Sequence, residues 1–99
     1  MPKRTIVGHQ GDVIVERIFA VPKTARKLDT KKVEMHSESG VNHVLNASAV
    51  FAGSDETEYA VLDEASTMTH TQHPKLDLAP GIYAIRHVRD YTPRRNMLD

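Results

Sequence analysis

The sequence predicts a small, mostly antiparallel all-β protein, a barrel or a sandwich, built as a single domain over residues 1–99. Three observations carry that expectation. Short runs rich in Val, Ile, Leu and Phe recur along the chain, each bounded by Gly, Pro, Ser or Asp and each too short for a typical amphipathic helix. About six such runs alternate with turn signals, which is the spacing of a small sandwich or barrel. At 99 residues the chain suits one core, since a domain of this size buries roughly two thirds of its unfolded surface.

The first run, GDVIVERIFAVP, alternates only in part and reads as a buried strand. KTARKLDTKK, residues 23–32, carries five basic residues and one acid with only Leu28 of any size, so it should be a basic loop or mobile excursion. KKVEMH and VNHVLN flank SESG, whose Ser and Gly suit a tight turn, and the pair reads as a hairpin. SAVFAG is a further strand or an extension of the preceding one. EYAVLDE reads as the next strand, with a helix capped at Ser54 as the rival. In KLDLAPGIYAIRHV, Leu76 and Leu78 share a face, Pro80-Gly81 suits a type II turn, and the strand resumes through Tyr83 and Ile85. Leu76, Leu78, Tyr83 and Ile85 are expected in the core or at its rim. Residues 92–99 should form a loosely held tail.

Composition excludes several classes. Without cysteine there is no disulfide scaffold, no Cys-type zinc ribbon and no thiol catalysis, so any metal must be held by histidine and carboxylate. No apolar stretch approaches the ~20 residues that cross a bilayer, and the N-terminal residues lack a secretory pattern. A cytoplasmic protein with no membrane partner is the expectation. Charge is segregated: +4 over residues 1–35, −6 over 36–79 and +2 over 80–99, summing to zero. That pattern favours oriented association with a charged protein partner or with a second copy, or a pairing of acidic with basic faces inside the molecule.

Six histidines stand in the chain. If SESG closes a hairpin in which His36 faces Val41 and Glu34 faces His43, these histidines share a polar face with Glu34, while Val33, Met35 and Val44 point at the core. His70 and His73 lie in THTQHP, where Pro74 should prevent regular pairing. Should the hairpin and this segment lie side by side, His36, His43, His70 and His73, with Glu38 in reserve, would supply the three or four ligands zinc takes at about 2.0–2.2 Å. Nickel, copper or iron would also suit imidazole. Exposed turn histidines bonded to backbone carbonyls are the plainer alternative.

MHSESGVNHVL followed by MTHTQHPKLDLAPGIYAIRHVRDYTP resembles a family of small uncharacterised bacterial and phage-type proteins. In that family a Gly-Glu-x-x-Gly-His-x-His stretch precedes Thr-His-x-x-His-x-x-x-x-Leu-x-Pro-Gly-x-Tyr and a terminal Arg-Glu-Tyr. The resemblance covers most of the chain and singles out Glu38, Gly40, His43, His70, His73, Pro80, Gly81, Tyr83, Arg89 and Tyr91. This chain departs from it at Ser37, which stands where the pattern has Gly, and at Val41, which replaces the first His; the interval to Gly40 is also one residue shorter. The resemblance implies a fold and a ligand cluster, with no activity attached.

No Gly-x-Ser-x-Gly elbow, triad spacing or phosphate loop is present, so no catalytic residue is assigned. Three function classes remain. The first is a non-enzymatic protein-binding or accessory module, phage-related, with the histidine cluster as its metal site. The second is a metal-dependent enzyme with Glu38 as base. The third is a nucleic-acid-binding module contacting phosphate or an acidic partner through Lys23, Arg26, Lys27, Lys31, Lys32, Arg86 and Arg89, with Tyr83 and Tyr91 as stacking surfaces. Binding without chemistry is the first expectation.

Overall fold

A computed structural model describes residues 5–36, 41–53 and 56–87. Among them ten strands and no helix are found: β1 Thr5–Gln10, β2 Val13–Ile18, β3 Arg26–Lys27, β4 Lys32–Met35, β5 His43–Asn46, β6 Ala49–Ala52, β7 Glu58–Leu62, β8 Ser66–His70, β9 His73–Leu78 and β10 Gly81–His87. Sheet A has the order β1-β2-β10-β7-β6-β3 and sheet B the order β4-β5-β8-β9. The paired strands run antiparallel. The architecture is thus all-β and sandwich-like, not a closed barrel.

The core forms where alternate residues of the two sheets meet. Val13, Val15, Val50, Leu62, Tyr83 and Ile85 from sheet A pack with Val33, Met35, Leu45, Met68 and Leu78 from sheet B. Leu76 is partly buried against them. All four residues expected at the core or its rim are there. The outer face of sheet A is also apolar: Ile18, Tyr59 and Ala84 are covered by Val21 and Ala25 from the chain after β2. This explains the imperfect alternation of β2, which is buried on both faces over Val13–Glu16. The basic excursion is correspondingly less free than expected. Arg26 and Lys27 pair with Ala52 and Phe51, the Leu28 amide donates to the Val50 carbonyl at 2.8 Å, and Leu28 packs against the core.

Two further expectations are corrected. The β4–β5 register is Met35 opposite His43 and Glu34 opposite Val44, one residue away from the hairpin read from SESG. Because strand side chains alternate faces, the slip turns His43 and Leu45 into the core and Val44 outward. His36 and Glu34 therefore do not share a face with His43. The second concerns Pro80-Gly81, which links strands of different sheets and closes no hairpin. Gly81 has φ of 158°, far from the roughly +80° that a type II turn requires. Tyr83 pins this link by donating its hydroxyl to the Ala79 carbonyl.

Pro74 also sits within a strand. β9 is an edge strand, and a residue lacking an N–H is tolerated there. Residues 92–99 lie outside the described residues.

Candidate functional site

One end of the sandwich interior is polar, and the local folds that build it are simple. β1 and β2 are joined by Gly11-Asp12, with Gln10 paired to Val13 and Gly11 at φ 58°, the left-handed value a two-residue hairpin turn needs at its first central position. Gln10 faces inward beside Val13, and Asp12 stands at the tip. The β8–β9 turn is equally short, with His70 paired to His73. The corrected β5 register adds His43 from above.

These residues meet. The His43 and His70 ring centroids are 4.4 Å apart, His70 and His73 4.7 Å, and His43 and His73 6.2 Å with nearly parallel planes. His43 is fully buried, while Gln10 is 2% and His70 7% exposed. The Gln10 amide nitrogen donates to the carbonyls of Met68 at 3.0 Å and Pro74 at 2.9 Å, stitching β1 of sheet A to both strands of the β8–β9 hairpin. Gln10 Oε1 lies 2.9 Å from His43 Nδ1, and Asp12 Oδ1 lies 3.1 Å from His43 Nε2. Asp12 Oδ2 is buried with no hydrogen-bond partner.

His70 is held on both sides. The Gln72 amide donates into its Nδ1 at 3.0 Å, and its Nε2 donates to the Val41 carbonyl at 3.1 Å. His87 faces inward with Tyr83 and Ile85, is 7% exposed and donates from Nε2 to the His36 carbonyl at 2.6 Å. Glu58, opposite Ile85, completes the polar end.

Electrostatics differ from group to group. Burial pushes the His43 imidazole below its usual pKa; the bond to Asp12 opposes this, and the nearby His70 and His73 reinforce it. Burial would raise the Asp12 carboxyl, but its bonds to His43 and to backbone, with the charges of His43 and His87, hold it below the usual range. Burial raises Glu58, with His87 opposing in part.

Of the four expected ligands, His43, His70 and His73 come together. His36 is exposed and bonds Asn42 through Nδ1 at 3.0 Å. Glu38, Gly40, Arg89 and Tyr91 lie outside the described residues. Among the described residues, no three histidine or acidic side chains already converge on one point as a metal set. Sequence reasoning missed Gln10, Asp12, Glu58 and His87. Gln-Gly-Asp-Val carried a signal for the first two, because a Gly-Asp hairpin turn places Gln10 opposite Val13 and Asp12 at the tip.

The basic residues are placed differently. Lys23, Arg26, Lys27 and Lys31 are exposed along the excursion before β4, and Lys32 is exposed at the start of that strand. Arg86 is mostly covered and pairs with Glu16 at 3.3 Å. Tyr83 is 2% exposed and unavailable for stacking.

The family described as a domain of unknown function, DUF8820, matches residues 9–88. The chain belongs to that family. The match takes in every residue of the polar end, from Gln10 to His87. No curated protein and no solved structure matches the chain significantly.

On the outer side of this DUF8820 domain, next to His70, the regular ladder of sheet B is short, although its strands stay adjacent. β5 and β8 share a single pair, Val44 with Thr69. Side chains tie the two strands on either side of it, Ser66 Oγ donating to the Asn46 carbonyl at 2.7 Å and His70 Nε2 to the Val41 carbonyl at 3.1 Å. Here lies an open depression of about 470 Å³ lined by Val41, Asn42, Val44, Thr69, His70 and Thr71.

Proposed function

We propose that this DUF8820 protein acts by binding, as a small non-enzymatic accessory module that receives an extended segment of a partner protein at the weakly laddered junction of β5 and β8. The observation that carries the reading is the single-pair junction of those strands, with the depression beside it. An extended peptide binds a sheet where main-chain groups are open to it and alternate side chains find pockets. Val41 and Val44 offer an apolar floor, and the His70 bridge is a side-chain tie that an entering strand would replace. The resemblance to bacterial and phage-type proteins suits an accessory role of this kind.

The nucleic-acid reading has less support. Among the described residues, exposed basic side chains cluster along 23–32, with Arg17 and Lys75 standing apart from them, Arg86 is engaged with Glu16, and Tyr83 offers no stacking face.

Selection from a displayed library of random peptides, followed by amide chemical-shift mapping on the labelled full chain, tests the proposal. Enriched peptides should be β-branched and extended and should shift residues 41–44 and 69–71. Binders that map to the β1 edge, or a chain that self-associates through it and enriches nothing, would overturn it.

A further inference from the structure

The hydrogen bonds of Gln10 fix where the proton on His43 resides. One end of the Gln10 carboxamide faces two carbonyl oxygens, those of Met68 and Pro74, and only the NH₂ group can donate to both. The oxygen is thereby turned to His43, and it accepts from Nδ1 at 2.9 Å. A neutral imidazole carries one N–H, so His43 Nε2 presents a lone pair. What it faces, at 3.1 Å, is a carboxylate oxygen of Asp12, itself an acceptor.

Two acceptors at that distance need a cation between them. A second proton on His43 would serve, but the ring is fully buried and has two further imidazoles beside it. The remaining Asp12 oxygen is buried without a hydrogen-bond partner, so it is open to a ligand.

We propose that a divalent transition metal ion, zinc foremost, occupies this position, held by the Asp12 carboxylate and His43 Nε2, with His73 as third ligand. The donor set of two imidazoles and one carboxylate is among those zinc takes, at about 2.0–2.2 Å, with water in the fourth position. The Gln10 contact is the second-shell bond that such a site needs: a ligating histidine gives its other N–H to an oxygen, which fixes its tautomer and orientation.

His73 lies over the turn that carries Asp12, its Nε2 2.5 Å from where a Cβ on Gly11 would stand. Glycine is what lets the ring lie so close. No hydrogen bond among the described residues ties the His73 ring, and it lies parallel to His43. In the proposed site the ring turns to face Asp12, chiefly about χ2, a soft torsion. His70 differs. Both its nitrogens are engaged, so it packs against the site and stays out of the first coordination sphere. The ligand set is therefore not the one read from spacing: Asp12 enters, and His36 and His70 leave.

Elemental analysis of untagged full-length protein, then zinc titration of the chelator-stripped protein, tests the proposal with imidazole ¹⁵N resonances as readout. About one equivalent should bind, shifting the His43 and His73 ring nitrogens, while those of His36 keep their positions. Asp12→Asn, an isosteric change whose folding can be verified by amide spectra, should weaken binding by at least about tenfold, the lower end of what even second-shell losses cost. His70→Gln should leave binding within a few-fold of the parent. Failure to bind stoichiometrically, binding indifferent to Asp12→Asn, or loss of binding in a folded His70→Gln variant would each overturn the site.

Discussion

Glu58 shows how much one side chain can depend on where its strand begins. It opens β7 with the inward parity of Ala60 and Leu62, opposite Ile85, and is half-buried. Burial disfavours its anion and His87 offsets this only in part, so its pKa lies above the usual carboxyl value. The native state then holds this proton more tightly than the unfolded chain does. The contribution is fully present below the unfolded value of about 4.3 and is lost as pH rises through the folded pKa. Glu58→Gln should therefore be more stable than the parent at neutral pH, and the difference should shrink toward acid. Urea denaturation of both proteins from pH 4 to 8 checks this, and a difference that does not change with pH would refute it. At this scale the site was half legible. His70 and His73 announced themselves by spacing, but the orientation of His43 turned on a one-residue register. Asn46 shares Val44's parity, and a polar residue there is a signal that Val44 faces out, one that the hairpin register read from SESG did not take into account.

β2 and β10 carry an argument of their own as elements. Both are buried on their two faces along most of their length, so each must accommodate polar groups where neither side is wet. Glu16 and Arg86 do this as a pair at 3.3 Å, with side chains 9% and 19% exposed. Removing one partner leaves a buried charge, a loss of roughly 3–5 kcal/mol in comparable sites, whereas replacing both by apolar residues of similar volume is often neutral. Arg86→Met alone should thus destabilise strongly, and Glu16→Leu with Arg86→Met should recover most of the loss. Chemical denaturation of the four-membered cycle measures it; a double variant as unstable as the single would show that the pair is needed as ions. Element types were readable because β-branched runs between turn residues leave little choice. Two-sided burial was not, since what covers the outer face is Val21 and Ala25 from a segment whose basic composition pointed to solvent.

For the whole molecule, fold class followed from strand length and turn chemistry, while strand order did not. Pairing partners such as β2 and β10 lie far apart in the chain, and no local pattern encodes which distant edge a strand will choose. Tyr83 and Ile85 were readable as core residues, but their place between β2 and β7 was not. That placement has a consequence for synthesis. β10 is the last strand described, yet it lies inside sheet A, hydrogen-bonded on both sides. A chain emerging from the ribosome holds β2 and β7 with two facing open edges until residues 81–87 arrive to join them. The strand is a keystone delivered last. A fragment ending at Pro80 should accordingly fail to fold alone, and a synthetic peptide spanning residues 81–99 should rescue it in trans, read out by the return of dispersed amide resonances. Such a gap is also an invitation to any other strand of similar pattern, so the interval before β10 docks is when this protein is most exposed to mispairing with its neighbours.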